Sequence, residues 1–218
     1  MLHGRDAEAL ARETDALTAD GASVSSAAFD VTEEDAVEHG VARVLERVGA
    51  IDVLVNNAGV QSRAPFTEFP TAEWHRLVAT NLTSAFLVSR AVARGMQQRG
   101  RGKIIHIGSV QFMLGRPGIT PYAATKGGIA MLTRGMCADL GPSGIQVNAI
   151  APGYFATDLT APLVADPDFS DWVERRTPAG RWGRVDELIG AAVFLSSRAS
   201  DFVNGQVLTV DGGMTAVV

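Results

Sequence analysis

The chain has 218 residues, of which 46% are apolar and 20% charged, and a formal net charge of −5. Lysine and arginine are scattered without a basic stripe, which argues against nucleic acid as a partner, and no apolar run approaches the roughly 18 residues of a membrane span. The N-terminus lacks the apolar core of a signal peptide, and the one cysteine excludes an internal disulfide. We therefore expect a cytoplasmic protein.

The predicted elements alternate between strand and helix along the chain. Apolar and β-branched runs predict strands at 23–29, 51–55, 103–107, 145–150 and 206–210, and periodic stretches predict helices at 7–17, 33–48, 71–99, 121–140 and 185–196. Thr32 and Thr71 stand where they would cap the second and third helices. Long helices between strands indicate right-handed crossovers, so the predicted fold is α/β and Rossmann-like, with a doubly wound parallel sheet. The irregular segment 157–183 is interpreted as a candidate mobile lid.

The first residues do not fit the beginning of such a fold. Dinucleotide folds open with a strand, a glycine-rich turn and a helix that hold the pyrophosphate. Here residues 1–6 resemble the end of a second strand, and a helix follows at once. We expect one domain over residues 1–218 that lacks the first β–α unit and most of the second strand. A mis-called start is the preferred explanation, a catalytically silent fragment is the alternative, and these residues alone are expected to bind dinucleotide weakly or not at all.

The strongest chemical signal is Ser109 followed by Tyr122 and Lys126. Four-residue spacing on a helix puts the tyrosine and the lysine on one face, one turn apart. A nearby ammonium stabilises a phenolate, so the tyrosine could exchange protons with an alcohol near neutral pH. Ser109 follows the strand 103–107, at the sheet edge where α/β proteins place ligands. No group of residues suggests a metal site.

Small-residue turns follow two further strands. Asn56-Asn57-Ala58-Gly59 comes after strand 51–55, and Pro152-Gly153 comes after strand 145–150. Each alone is consistent with a plain tight turn, but small residues also allow the backbone to approach a ligand closely. Their repetition at successive strand ends favours a binding site.

With these motifs the chain resembles the short-chain dehydrogenase/reductases over essentially its whole length. The matching pieces are Asp30-Val31, Asn56 to Gly59, Asn81, Gly108-Ser109, Tyr122 to Lys126, Asn148, Pro152-Gly153 and Val210 to Gly213. The resemblance implies that Tyr122 is the general acid/base, that Lys126 lowers its pKa and binds the nicotinamide ribose, and that Ser109 holds the substrate oxygen. It implies that Asn81 holds a water for proton relay.

The same resemblance implies the cofactor contacts. Asp30 and Val31 would meet the adenine, Asn57, Ala58 and Gly59 the adenosine ribose, and Pro152, Gly153 and Thr157 the nicotinamide end. The family's Thr-Gly-x-x-x-Gly-x-Gly turn has no counterpart in the chain. Arg5 follows the first strand without an acid at the strand end, which favours NADP over NAD because a cation would pair with a 2′-phosphate. A solvated arginine at a helix start is the alternative.

Longer stretches resemble family members that act on sugar acids, including Pro65 to Pro70, Met131 to Cys137 and Arg176 to Gly183. The implied reaction is an alcohol–ketone interconversion, with D-gluconate and 5-keto-D-gluconate as the expected pair; another sugar acid, a polyol or a 3-oxoacyl substrate is the alternative. Such a substrate needs a cation and several hydrogen-bonding groups. The candidates are Arg63 for the carboxylate, Gln111 for a hydroxyl, and Tyr154 and Trp182 for the pocket wall. Relatives of this kind imply a homotetramer.

Overall fold

Six strands form two parallel sheets in the computed structural model, which describes residues 1–218. In the first sheet β1 (Leu2–Gly4) pairs with β2 (Ser26–Ala28). In the second, the order is β3 (Val53–Asn56), β4 (Gly102–Ile107), β5 (Ile145–Pro152) and β6 (Val207–Val210). Every strand pair is parallel. The carboxyl ends of neighbouring strands therefore meet at one edge of each sheet, which confirms the α/β, Rossmann-like architecture predicted from the sequence.

Eight α-helices connect and cover the strands. They are α1 (Ala7–Ala19), α2 (Glu34–Val48), α3 (Thr71–Val78), α4 (Ser84–Arg99), α5 (Thr120–Leu140), α6 (Ala161–Val164), α7 (Pro167–Arg176) and α8 (Ile189–Ser196). A π-helical turn at Ala79–Thr83 joins α3 to α4. No helix combines the length and the apolar character needed to cross a bilayer.

The main core lies on both faces of β4 and β5. On one face Ile104 and Val147 pack in a cluster that also contains Val37 from α2 and Met96 from α4. On the other face Ile105 and Ile150 pack with Leu195 from α8. Helices cover both faces, so these two strands have almost continuous apolar sequences rather than an alternating pattern.

Several local predictions need correction. The second strand is shorter than predicted, Ser26–Ala28 instead of 23–29. Thr32 does not cap α2, because its hydroxyl donates to the Asp30 carboxylate at 2.7 Å and the cap position falls to Glu33. Pro70, not Thr71, precedes α3 without a side-chain cap. The segment 157–183 is not irregular throughout but contains α6 and α7.

Candidate active site

Ser109 stands at the carboxyl end of β4, directly after a glycine that the packing requires. A Cβ on Gly108 would lie 3.3 Å from the carbonyl oxygen of Ile150 on β5, so the turn passes close to the neighbouring strand. The backbone N–H of Gln111 donates to Ser109 Oγ at 3.2 Å. This bond occupies an acceptor position of the hydroxyl and leaves its proton free to donate to another oxygen.

Tyr122 and Lys126 lie on the first turns of α5, facing the end of β4. Lys126 is almost fully buried, its ammonium lies 5.6 Å from the centre of the Tyr122 ring, and its hydrogen bond to protein runs to the carbonyl of Ile107 at 2.7 Å. An ammonium has three N–H donors, so two remain for another partner such as a pair of neighbouring hydroxyls. Burial lowers the pKa of Lys126 from its ordinary value to about 8.

The pKa of Tyr122 differs from the expectation drawn from the sequence. Burial raises the pKa of Tyr122, while hydrogen bonding to Ser109 and the charge of Arg63 oppose the increase and Tyr154 adds to it. Ser109 and Arg63 therefore favour the phenolate. The role that the resemblance assigns to Lys126 stays a prediction.

Asn81 is buried in the π-helical turn, and its side chain ties that turn to the loop after β3. Its Oδ1 accepts from the backbone N–H of Val60 at 2.8 Å, and its Nδ2 donates to the Val60 carbonyl at 2.9 Å and to Thr125 at 3.3 Å. Both ends of the amide are thus engaged by protein. The predicted water-holding role of Asn81 stays a prediction.

A solvent-open cleft of about 460 Å³ brings most of the predicted substrate residues together. Ser109, Tyr122, Gly153, Arg63, Gln111 and Tyr154 line it, together with Gln61, Val110, Arg116, Ile119, Leu159, Thr160 and Leu163. Gly153 is required where it stands, because a Cβ there would lie 2.7 Å from the Cβ of Asp211. The lining contains two arginines and neither aspartate nor glutamate, so an anion is the ligand it favours.

Of the predicted substrate residues Gln111 and Trp182, only Gln111 lines the cleft. Gln111 is buried, its Nε2 lies 3.5 Å from the Tyr154 hydroxyl, and its Oε1 is buried without a hydrogen-bond partner. Trp182 does not line the cleft, contrary to prediction. Its indole N–H donates to Ser170 and its ring packs edge-on against Tyr154, so it supports the cleft wall from behind.

The predicted cofactor residues lie at strand ends. Arg5 follows β1 and its guanidinium pairs with the Asp30 carboxylate after β2 at 3.4 Å, with two thirds of the arginine side chain exposed. Val31 is buried beside them, and Asn57, Ala58 and Gly59 are exposed after β3. Pro152 ends β5. Thr157 is exposed, and its backbone N–H donates a hydrogen bond to the hydroxyl of Thr160. Thr160 lines the cleft, and Thr157 does not.

Sequence reasoning missed two polar residues. Arg116 lies in a loop with no motif around it, and only its closeness in sequence to Ser109 could have indicated it. His106, on β4, is fully buried; its Nδ1 lies 3.2 Å from the amide nitrogen of Asn56 and its Nε2 has no partner. Its place in an otherwise apolar strand would have indicated that it is buried, but not which polar groups surround it.

We expect His106 to control part of the acid sensitivity of the fold. Burial, and secondarily the charge of Lys126, lowers the pKa of His106 from 6.5 to about 4. Between pH 6.5 and 4 the His106 imidazole is protonated in the unfolded chain but neutral in the folded chain. Its contribution to the free energy of unfolding is therefore fully present above pH 6.5 and falls by about 3 kcal/mol as the pH drops towards 4. His106→Gln should flatten this loss in urea unfolding between pH 7 and 4. His39→Gln, on the exposed face of α2, is the control, and an equal flattening there would contradict the assignment.

Known proteins match the chain along almost its whole length. A family described as enoyl-(acyl carrier protein) reductase matches residues 1–215. The gluconate 5-dehydrogenase of Gluconobacter oxydans strain 621H is 58% identical over 215 residues, which cover 99% of this chain and 84% of that protein. The 5-keto-D-gluconate 5-reductase of Escherichia coli strain K12 is 56% identical over 199 residues, 91% of this chain and 78% of that protein.

A solved structure extends the match to three dimensions. The gluconate 5-dehydrogenase from Burkholderia cenocepacia J2315, in complex with NADP and tartrate, superposes with a TM-score of 0.97 at 55% identity. The superposition covers 100% of this chain and 85% of that one.

Proposed function

The chain belongs to the short-chain dehydrogenase/reductase family of NAD(P)-dependent oxidoreductases, and from that premise we propose that it interconverts D-gluconate and 5-keto-D-gluconate with NADP. The observation that carries the proposal is the cleft in which Ser109 and Tyr122 stand beside two arginines without an opposing carboxylate. A hydroxyl and a phenol suit a carbonyl oxygen, and the arginines suit the anionic end of a sugar acid. The similarity to enzymes named for this reaction supports the same substrate pair.

The residues present fit the ribose and nicotinamide end of NADP. The Lys126 ammonium is buried with one protein acceptor, which leaves donors for ribose hydroxyls. Arg5 is exposed beside Asp30, where a 2′-phosphate could pair with it. A glycine-rich phosphate turn is not found in the sequence. That these 218 residues form one family domain stays a prediction, and NADPH titration into this chain measures its affinity for the cofactor.

When bound, the nicotinamide cofactor supplies the hydride that reduces the carbonyl carbon. In the proposed reduction Ser109 donates a hydrogen bond to the carbonyl oxygen, and Tyr122 delivers the proton that this oxygen gains. The raised pKa of Tyr122 keeps the phenol protonated and ready to donate. In the reverse direction Tyr122 removes the alcohol proton, which Ser109 and Arg63 assist by favouring the phenolate.

The decisive experiment is cofactor oxidation by the purified protein. Substrates are 5-keto-D-gluconate, other keto-sugar acids, a ketose and a 3-oxoacyl thioester, each with NADPH and NADH. We expect the highest kcat/KM for 5-keto-D-gluconate with NADPH. A higher value for a different carbonyl would favour the broader reductase interpretation, and no turnover with any of them would contradict the proposal.

We also propose that the chain acts in the cytoplasm as a homotetramer. The last strand and the long helices α3 to α5 correspond to the segments expected to form the subunit contacts. Large apolar side chains are exposed along this part of the molecule, among them Phe86 on α4, Met131 on α5 and Leu208 on β6. Exposed apolar clusters of this kind favour association. Light scattering after size-exclusion chromatography should give four times the chain mass, and a monomer would contradict the proposal.

A further inference from the structure

The two arginines of the cleft have no acidic partner in the protein. Neither Arg63 nor Arg116 takes part in an ion pair, although nearly all ion pairs elsewhere on the surface involve arginine. Arg116 Nε is buried without a hydrogen-bond partner. Burial, and secondarily the charge of Arg116, lowers the pKa of Arg63, so its positive charge is costly unless an anion lies beside it.

The two arginines occupy different parts of the cleft. Burial raises the pKa of both tyrosines, but the charge of Arg63 acts on Tyr122 and Tyr154, whereas that of Arg116 acts on Tyr154. The Arg116 guanidinium lies over the Phe169 ring, 4.9 Å from its centre. Phe169 is on α7 and packs against Tyr154, so Arg116 stands at the Tyr154 end of the cleft, whereas the charge of Arg63 acts on both tyrosines.

This arrangement matches the length of the proposed substrate. In D-gluconate the carboxylate is at C1 and the reacting carbon is C5, four bonds further along the chain. A carboxylate anchor must therefore stand away from the phenol that exchanges the proton. A guanidinium over an aromatic ring leaves its N–H edge uncovered, and such an edge can bind a carboxylate with two parallel hydrogen bonds.

We propose that Arg116 anchors the substrate carboxylate and that Arg63 serves the reacting end of the molecule. The assignment rests on the proposed function and moves the carboxylate from Arg63, where the sequence placed it, to a residue that no motif marks. The Tyr154 hydroxyl, which lies 3.5 Å from Gln111 Nε2, then stands at the same end of the cleft as the carboxylate.

The test compares an acid with its neutral counterpart. D-glucitol is D-gluconate with the carboxylate replaced by a CH₂OH group, and L-sorbose stands in the same relation to 5-keto-D-gluconate. In Arg116→Ala we expect D-gluconate to bind about 10- to 100-fold more weakly by calorimetry, with D-glucitol binding changed less than about threefold. KM for 5-keto-D-gluconate should rise by a similar factor with little change in kcat. Arg116→Lys should recover part of the loss, since it restores the charge without the bidentate geometry.

Three controls separate the outcomes. Arg43→Ala, exposed on α2, should leave both ligands unaffected. Arg63→Ala should weaken the acid and the polyol together and keep the preference for the acid. Unfolding temperatures within a few degrees of the unmodified protein show that each variant folds.

An unchanged affinity for D-gluconate in Arg116→Ala, or an equal loss for D-glucitol, overturns the anchor assignment. The proposed function fails separately, if the unmodified protein does not turn over 5-keto-D-gluconate. In that case calorimetry with D-gluconate still decides where its carboxylate binds.

Discussion

Replacing Tyr122 by phenylalanine is expected to lower kcat for 5-keto-D-gluconate reduction about 1,000-fold, because the variant lacks the group that gives the proton to the carbonyl oxygen. The ring stays in place, since its contacts with Lys126 and the cleft wall do not need the hydroxyl. KM and the affinity for NADPH should change little. Stopped-flow measurement of NADPH oxidation reports the chemical step directly.

The second tyrosine provides the matched comparison. Tyr154 lines the same cleft and is also buried enough for its pKa to be raised, but it lies at the Arg116 end. Tyr154→Phe should retain at least a tenth of kcat, because it removes a hydroxyl that binds rather than one that transfers the proton. Equal losses in the two variants would show that neither phenol is the specific acid.

Lys126→Met is expected to lose activity and gain stability. Burial lowers the pKa of Lys126 from 10.5 to about 8. Below pH 8 the lysine is charged in both the folded and the unfolded chain, so folding carries the full cost of burying it, about 3 kcal/mol. That cost is relieved as the pH rises from 8 to 10.5. Methionine fills similar volume without the charge, so the free energy of unfolding at pH 7 should rise by about 1–2 kcal/mol while kcat falls about 100-fold.

The other lysine of the chain, Lys103, is the control. It is also buried, but its ammonium donates to Ser200 and pairs with Asp201 at 2.9 Å. Lys103→Met breaks a satisfied pair and should lower the free energy of unfolding by about 1 kcal/mol with activity preserved. Urea unfolding of both variants at pH 7 and 9 gives the comparison. A lower free energy of unfolding in Lys126→Met would contradict the conclusion that the buried ammonium destabilises the fold.

The sequence predicted the fold well where one physical signal dominated. Strands β4 and β5 are covered on both faces, so their apolar runs were clear, and the motif residues follow them directly. The caps at Thr32 and Thr71 were wrong because a local bond to Asp30 and a proline, respectively, took precedence over helix-capping preference. Such competition between neighbouring polar groups depends on backbone angles that residue order does not specify.

The sequence predicted the catalytic residues of the site better than it predicted the contacts between the loops that line it. Tyr122, Lys126 and Ser109 could be assigned because their spacing on one helix and one strand end is local. The position of Arg116 depends on how the loop before α5 lies against Phe169, 53 residues later in the sequence. The same holds for Trp182, which was assigned to the cleft but supports Tyr154 from behind. Contacts between separate loops are not encoded in any periodic pattern.

The aromatic wall behind Tyr154 has a practical consequence. Trp172 and Trp182 both pack edge-on against the Tyr154 ring, and they are two of the three tryptophans in the chain. Most of the intrinsic emission of the protein therefore originates next to the cleft. Any ligand that shifts Tyr154 should change the emission wavelength or lifetime, so the protein carries its own optical reporter and needs no attached dye.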